Sequence, residues 1–178
     1  MLGYPARDTM ILNITSKNND PQELEIVNIV NGLCEQYDIP AFTQTVLVEK
    51  DSIPHSHPIL TLNTRVKDSR LLLKTLVHEQ LHWYAKNHPQ YKNCIAYLKT
   101  RYRDDGEHNK LGTYPDSYWE HIIICFNALN YLENFLSKED VEWIYQQWQA
   151  YPTLEKLVVQ NKEKVRTDLA KFELILIK

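Results

Sequence analysis

The chain has 178 residues, 43% of them hydrophobic and 24% charged, and a formal net charge of −3. This composition is typical of a globular protein, and it argues against a long disordered region, a basic nucleic-acid-binding surface and an apolar segment of the ~20 residues that cross a bilayer. Its three cysteines are widely spaced, and its N-terminus lacks the pattern of a signal peptide. We therefore expect one cytoplasmic domain over residues 1–178, with neither nucleic acid nor a membrane as partner.

The first third of the chain is predicted to form a small sheet and one helix. Asp20, Pro21 and Glu23 together resemble a helix start, with an N-cap, a first-turn proline and a capping box. This helix is expected to end near Tyr37. Three segments have the alternation of short strands: Thr9–Thr15, Gln44–Glu49 and Pro58–Thr64.

The remaining two thirds of the chain is predicted to be helical. A central helix begins at a cap on Asp68 or Ser69 and ends near Asn87, before Pro89. Four further helices and one polar loop follow, namely Tyr91–Tyr102, the loop Asp104–Gly112, Ser117–Leu136, Ser137–Ala150 and Thr153–Lys171. The order predicts an α+β fold in which a small N-terminal β-sheet packs on a mostly helical body.

The central helix contains an H-E-x-x-H motif formed by His78, Glu79 and His82. Residues four apart lie on one face of a helix, one turn from each other, so the two imidazoles can bind one metal ion. Glu79 follows the first histidine and is expected to lie close to the ion without binding it, where it can accept a proton from metal-bound water. The motif therefore predicts a Zn²⁺ site with hydrolytic chemistry.

This motif resembles that of the zincin metallopeptidases. The resemblance implies a zincin-like fold with the active-site helix in the middle of the chain. It also implies a peptide or protein substrate whose amide bond is hydrolysed, with Glu79 as the general base. In zincins an edge strand commonly lines the cleft and pairs with an extended substrate, and Pro58–Thr64 is the candidate for that strand.

A catalytic zinc usually takes three protein ligands, and the chain offers two places for the third. His88 has nearly the spacing of the metzincin subgroup, but Ala85 replaces the glycine that lets the chain turn there, and no methionine follows the motif. A gluzincin-like layout instead places the third ligand on a later helix. There Glu120 and His121 are adjacent.

We expect His121 to be the third ligand rather than Glu120. The helical stripe through His121 is apolar, whereas the stripe through Glu120 contains Asn127 and Tyr131 and is expected to lie nearer solvent. Tyr118, three residues before His121 on the same face, is the first candidate to stabilise the oxyanion. Weaker candidates lie in loops, namely Tyr114, His108, His55 and His57.

Two other functions remain open from the sequence. One is a non-catalytic binding module that zinc stabilises, and the other is a zinc hydrolase that acts on a non-peptide amide. Glu79 argues against the binding module, because a purely structural zinc site has no use for a base beside it. The oligomeric state is not predicted.

Overall fold

A computed structural model of the protein describes residues 11–102, 116–147 and 151–176. The fold is α+β, as predicted, with a three-stranded sheet near the N-terminus and helices after it. The chain divides into two compact units, Met1–Gln80 and Leu81–Lys178, and the boundary falls within one helix. The described elements in chain order are β1 Asn13–Ser16, α1 Pro21–Gln36, β2 Thr45–Val48, β3 Leu60–Leu62, α2 Ser69–Asn87, α3 Tyr91–Arg101, α4 Asp116–Phe135, α5 Lys138–Gln147, α6 Pro152–Gln160 and α7 Lys162–Ala170.

The sheet of the first unit has the strand order β1-β2-β3, and all its neighbouring strands are parallel. In its register Ile14 lies beside Val46, and Val46 lies beside Leu60. Helix α1 contacts both β1 and β2, so these elements form a β-α-β unit. Val46, Val48, Leu60 and Leu62 are fully buried, which explains why such short strands hold their register.

Helix α1 begins as predicted, but its predicted capping box is wrong. The Asp20 carboxylate accepts a hydrogen bond from the backbone N–H of Gln22 at 2.8 Å and so caps the helix. Glu23 does not turn back to the cap, because its buried carboxylate accepts from the backbone N–H groups of Asn18 at 2.8 Å and Lys50 at 3.0 Å. Burial alone raises the pKa of Glu23, but these and other hydrogen bonds outweigh it and lower the pKa to about 2.

Strand β3 lies at an edge of the sheet, yet that edge is partly occupied. Thr61 donates its backbone N–H to the carbonyl of His55 at 2.8 Å and accepts the N–H of His55 at 3.1 Å. Backbone groups that are already paired do not pair with a second strand. At Thr61, therefore, a substrate strand of the kind expected for Pro58–Thr64 first has to displace the chain's own segment.

The second unit is built around α4, which contacts α3, α5, α6 and α7. The side chains of α4 are buried without a break from Trp119 to Leu129. The predicted single helix Thr153–Lys171 is wrong, because Asn161 leaves the helical conformation and its side chain donates to the carbonyl of Leu157 at 3.0 Å, which ends α6. No helix in the described ranges is both long and apolar enough to cross a membrane.

Candidate metal centre

The motif helix α2 has the bounds that the sequence predicts. Asp68 caps it by accepting hydrogen bonds from the backbone N–H groups of Arg70 at 2.9 Å and Leu71 at 3.3 Å. The helix continues through the motif to Asn87. Its apolar side chains are almost fully buried, which fixes the helix and therefore the motif in the interior: Leu72, Leu73, Leu76, Val77 and Leu81.

Three histidines come together at the motif. His78 and His82 lie one turn apart on α2, and His121 lies on α4. One possible ligand atom from each lies within 4.8 Å of the other two. His78 and His121 are buried, and the rings of His82 and His121 meet edge to face at 4.9 Å between centroids. The structure thus brings together the three residues that the sequence predicts as metal ligands.

The spacing of this cluster can be compared with the geometry of zinc. Zinc–imidazole bonds of ~2.0–2.1 Å in a tetrahedral site separate the nitrogens by roughly 3.3 Å. A χ1 rotation of about 20°, which stays within one rotamer, moves an imidazole nitrogen by about 1 Å. The separations of up to 4.8 Å exceed the tetrahedral spacing by at most about 1.5 Å, which is less than small rotations of two rings together can cover.

The ring of His82 is held from behind by a buried carboxylate. His82 Nδ1 lies 2.6 Å from Oε1 of Glu120, and the hydroxyl of Tyr91 donates to Oε2 of Glu120 at 2.5 Å. Glu120 is only 1% exposed. Burial alone raises the pKa of Glu120, but the hydrogen bonds from His82 and Tyr91 outweigh it and lower that pKa. An ionised Glu120 accepts the proton on Nδ1, so in the neutral form of His82 the lone pair that binds a metal lies on Nε2.

The ring of His121 is held in the same tautomer by the backbone. Its Nδ1 lies 2.5 Å from the carbonyl oxygen of Ser117, one turn earlier on α4. A carbonyl oxygen only accepts hydrogen bonds, so Nδ1 carries the proton and Nε2 carries the lone pair. Burial, together with the neighbouring His82, lowers the pKa of His121 to about 4, so this ring is neutral at pH 7. Neutral imidazole is the form that binds a metal ion.

Glu79 lies between His78 and His82 on the chain, whereas His88 follows His82 by six residues. Glu79 lies on α2 directly after His78 and is buried. His88 comes after the last residue of α2, its ring is 6.0 Å from that of Tyr84, and it is not part of the metal-binding group found among the described residues. The predicted end of α2 near Asn87 is confirmed, so the helix continues through Ala85, where the metzincin pattern has its turn-forming glycine.

A second tyrosine, besides the predicted oxyanion residue Tyr118, lies close to the histidine cluster. Tyr118 is half-buried on α4, and its ring meets that of Trp119 at 5.3 Å between centroids. The ring that stacks on His121 is that of Tyr151, at 3.7 Å between centroids and 35° between planes. Sequence reasoning missed Tyr151, because it lies 30 residues after His121 and precedes α6 without any motif around it.

The loop candidates have other positions or lie outside the described residues. His55 pairs with Thr61 through its backbone, and its Nδ1 lies 2.7 Å from the carbonyl oxygen of Ile53. The Nδ1 of His57 lies 2.8 Å from the hydroxyl of Ser56. Three predictions fall on residues that the structure does not describe, namely His108, Tyr114 and the loop Asp104–Gly112.

Comparisons with protein-family models, with curated proteins and with solved structures give no match for this chain. The zincin resemblance therefore stays a prediction. Its support within the molecule is the H-E-x-x-H motif of α2 and the histidine from α4 that joins it.

Proposed function

We propose that the protein is a zinc-dependent hydrolase that cleaves an amide bond in a peptide or protein. The observation that carries the proposal is the cluster of His78, His82 and His121, in which two of the rings are fixed through Nδ1. Three protein ligands are the number typical of catalytic zinc, and a carboxylate behind a ligating imidazole is its usual support. Glu79 beside this cluster adds the base that hydrolysis requires.

Zinc is a metal that this donor set fits. Imidazole nitrogens bind Zn²⁺ well, and a set of three neutral rings leaves the full charge of the ion in place. When bound, zinc lowers the pKa of water toward neutrality and polarises the carbonyl to be cleaved. A site with two histidines and one glutamate has one positive charge fewer in total. With three histidine ligands, zinc would therefore be the stronger Lewis acid.

The chain's own residues supply the proton transfer. Glu79 removes a proton from the attacking water and then delivers it to the nitrogen of the departing amine. This role requires Glu79 to be ionised when the substrate arrives and protonated after the attack. Tyr118 is the oxyanion partner expected from the sequence, and Tyr151, stacked on His121, is the second candidate.

Metal content and cleavage measured on the same variants test this proposal. We expect wild-type protein purified without chelator to contain about one zinc per chain, and Glu79→Gln to retain it. His82→Ala should lose the zinc, while His57→Ala is the matched control for metal content, because His57 does not belong to the metal-binding group found among the described residues. Cleavage is measured as new peptide termini that the protein creates in a tryptic digest of a denatured protein, detected by mass spectrometry.

Each outcome of this experiment supports or overturns the proposal. Cleavage by wild type, with none by Glu79→Gln at equal zinc content, supports a peptidase in which Glu79 is the base. Zinc retained by Glu79→Gln together with no cleavage by wild type favours the zinc-stabilised binding module instead. Wild-type protein that binds no zinc in the presence of a slight molar excess of ZnCl₂ contradicts every zinc-based function.

A further inference from the structure

A chain of hydrogen bonds links three helices behind the histidine cluster. Tyr91 is the first residue of α3, Glu120 lies on α4 and His82 on α2. The Tyr91 hydroxyl donates to one carboxylate oxygen of Glu120 at 2.5 Å, and the other oxygen lies 2.6 Å from Nδ1 of His82. Each oxygen of Glu120 thus has its own donor on a different helix.

The position of Tyr91 depends on His88, the residue that has nearly the spacing of the metzincin third ligand. The carbonyl of His88 accepts the backbone N–H of Tyr91 at 3.0 Å, and Nδ1 of His88 accepts the N–H of Gln90 at 3.3 Å. These two bonds turn the chain from the end of α2 into the start of α3. His88 is buried at this turn, so it acts in the structure by placing Tyr91.

The burial of Glu120 makes its orientation depend on both donors. A carboxylate that is 1% exposed has almost no water to replace a missing hydrogen bond. Without the hydroxyl of Tyr91, Oε2 of Glu120 has no hydrogen bond to that residue. The carboxylate of Glu120 then rotates more easily about its last torsion. Such rotation moves Oε1 away from His82, which then loses the acceptor that fixes its ring and its tautomer.

We infer that Tyr91 is a positioning residue that sets the metal affinity of the histidine cluster, by holding Glu120 where it fixes the ring of His82. This inference rests on the proposed zinc site. The affinity of a metal site falls by about 10- to 100-fold when a partner of this kind is removed from a ligating histidine. The described hydrogen bond of the Tyr91 side chain is to Glu120 and not to one of the three histidines. Its effect on the metal site therefore passes through Glu120.

The chain provides a matched control for Tyr91. The hydroxyl of Tyr97, also on α3, donates at 2.6 Å to the buried carboxylate of Asp168, which is not in the metal-binding group. Tyr91→Phe and Tyr97→Phe therefore remove the same atom from the same helix, each from a buried carboxylate. Only Tyr91→Phe breaks a link to a metal ligand.

The test measures zinc affinity by competition with a chromophoric chelator. We expect the Kd for Zn²⁺ to rise about 10-fold in Tyr91→Phe and by 10- to 100-fold in Glu120→Gln, and to stay within twofold of wild type in Tyr97→Phe. Thermal unfolding of the three metal-free variants checks that each is folded. A Kd in Tyr91→Phe that stays within twofold of wild type overturns the inference, whatever the Kd of Glu120→Gln, while the proposed zinc site survives.

A second readout does not depend on the metal. In metal-free wild type at pH 8, the ¹⁵N shifts of the His82 ring should report a proton on Nδ1, and in Glu120→Gln they should report a mixture of both tautomers. Tyr91→Phe should show the same mixing to a smaller extent, and Tyr97→Phe should show none. A pure Nδ1–H tautomer in all four proteins contradicts the inference, whether or not zinc binds.

Discussion

Glu120 and Asp168 are two carboxylates that are alike in their burial and in the tyrosine of α3 that donates to each. Glu120 is 1% exposed and Asp168 is 3% exposed. Each accepts a short hydrogen bond from a tyrosine of α3, at 2.5 Å from Tyr91 and at 2.6 Å from Tyr97. The pKa of each carboxyl lies below its usual value although burial alone raises it, because hydrogen bonds to the ionised form outweigh burial.

The other donors distinguish a structural carboxylate from one that supports chemistry. Those of Asp168 include the hydroxyl of Tyr102, at 3.1 Å, and the side chain of Lys171. Asp168 accepts a hydrogen bond from the ammonium of Lys171 at 2.8 Å, a group that only donates. Glu120 is bonded to Nδ1 of His82, and an imidazole that is held by one nitrogen presents the other. Burial and a lowered pKa are therefore common to both carboxylates, and only the identity of the partner indicates function.

The largest expected effect comes from removing the donor that distinguishes the two carboxylates. His82→Ala deletes a metal ligand, and we expect the affinity for Zn²⁺ to fall by more than about 1,000-fold. Lys171→Ala deletes one donor of Asp168 and should leave the zinc affinity unchanged. Both are measured by chelator competition. Equal zinc affinities in His82→Ala and Lys171→Ala would contradict the functional difference between Glu120 and Asp168.

Neutralising the carboxylates themselves should have effects of two kinds. Glu120→Gln should weaken zinc binding by about 10- to 100-fold. Asp168→Asn should leave zinc affinity unchanged and lower the free energy of unfolding by about 2 kcal/mol, since hydrogen bonds to a buried charged group are lost. Chemical denaturation of the metal-free proteins gives the second quantity. A change of zinc affinity in Asp168→Asn shows that the two networks are coupled.

The acid dependence of stability should reveal Asp168 independently of any metal. Its pKa is lower in the folded protein than in the unfolded chain, so the unfolded state binds the proton first as the pH falls. The stability that Asp168 contributes is thus full above about pH 5 and is lost as the pH falls below about 4. We expect the difference in unfolding free energy between wild type and Asp168→Asn to shrink from pH 7 to pH 3, in the presence of a chelator. A difference that stays constant contradicts an ionised Asp168.

The smallest expected effect concerns the ring that covers His121. Tyr151→Ala removes the stacked ring and should weaken zinc binding by a few-fold, since such aromatic contacts contribute about 0.5–1.5 kcal/mol. Tyr151→Phe keeps the ring and should bind zinc as wild type does. If Tyr151→Phe nevertheless lowers the rate of peptide cleavage at unchanged zinc content, the hydroxyl of Tyr151 is the oxyanion partner. An unchanged rate leaves that role to Tyr118.

The sequence predicts well those features that depend on neighbours along the chain. The bounds of α2 follow from the cap at Asp68 and from Pro89, and the facing of His78 and His82 follows from helical periodicity. The end of α6 at Asn161 was missed. The side chain of Asn161 donates to the carbonyl of Leu157, four residues earlier, but the sequence of a polar helix does not distinguish such an asparagine from one that faces solvent.

The third ligand shows where periodicity stops being informative. His121 belongs to the metal-binding group, as expected, but the reason given against Glu120 is wrong. The stripe through Glu120 was expected to lie nearer solvent, whereas Glu120, Asn127 and Tyr131 are all buried. A helix that is covered on every side has no exposed face with which to rank its residues.

The partners of the ligands could not be predicted because they are tertiary contacts without a sequence signal. Tyr91 reaches Glu120 across 29 residues, and Tyr151 reaches His121 across 30 residues. Neither tyrosine stands in a motif, and the chain has 11 tyrosines from which to choose. Only the packing of α3 and of the start of α6 on α4 selects these two.

X-ray absorption at the zinc edge tests the central claim most directly. In protein loaded with one equivalent of Zn²⁺, the account predicts three imidazole nitrogens at about 2.0–2.1 Å, and two in His121→Ala. Three imidazoles that persist in His121→Ala, or a spectrum without imidazole scattering in wild type, would contradict the assignment of His78, His82 and His121 as one metal centre.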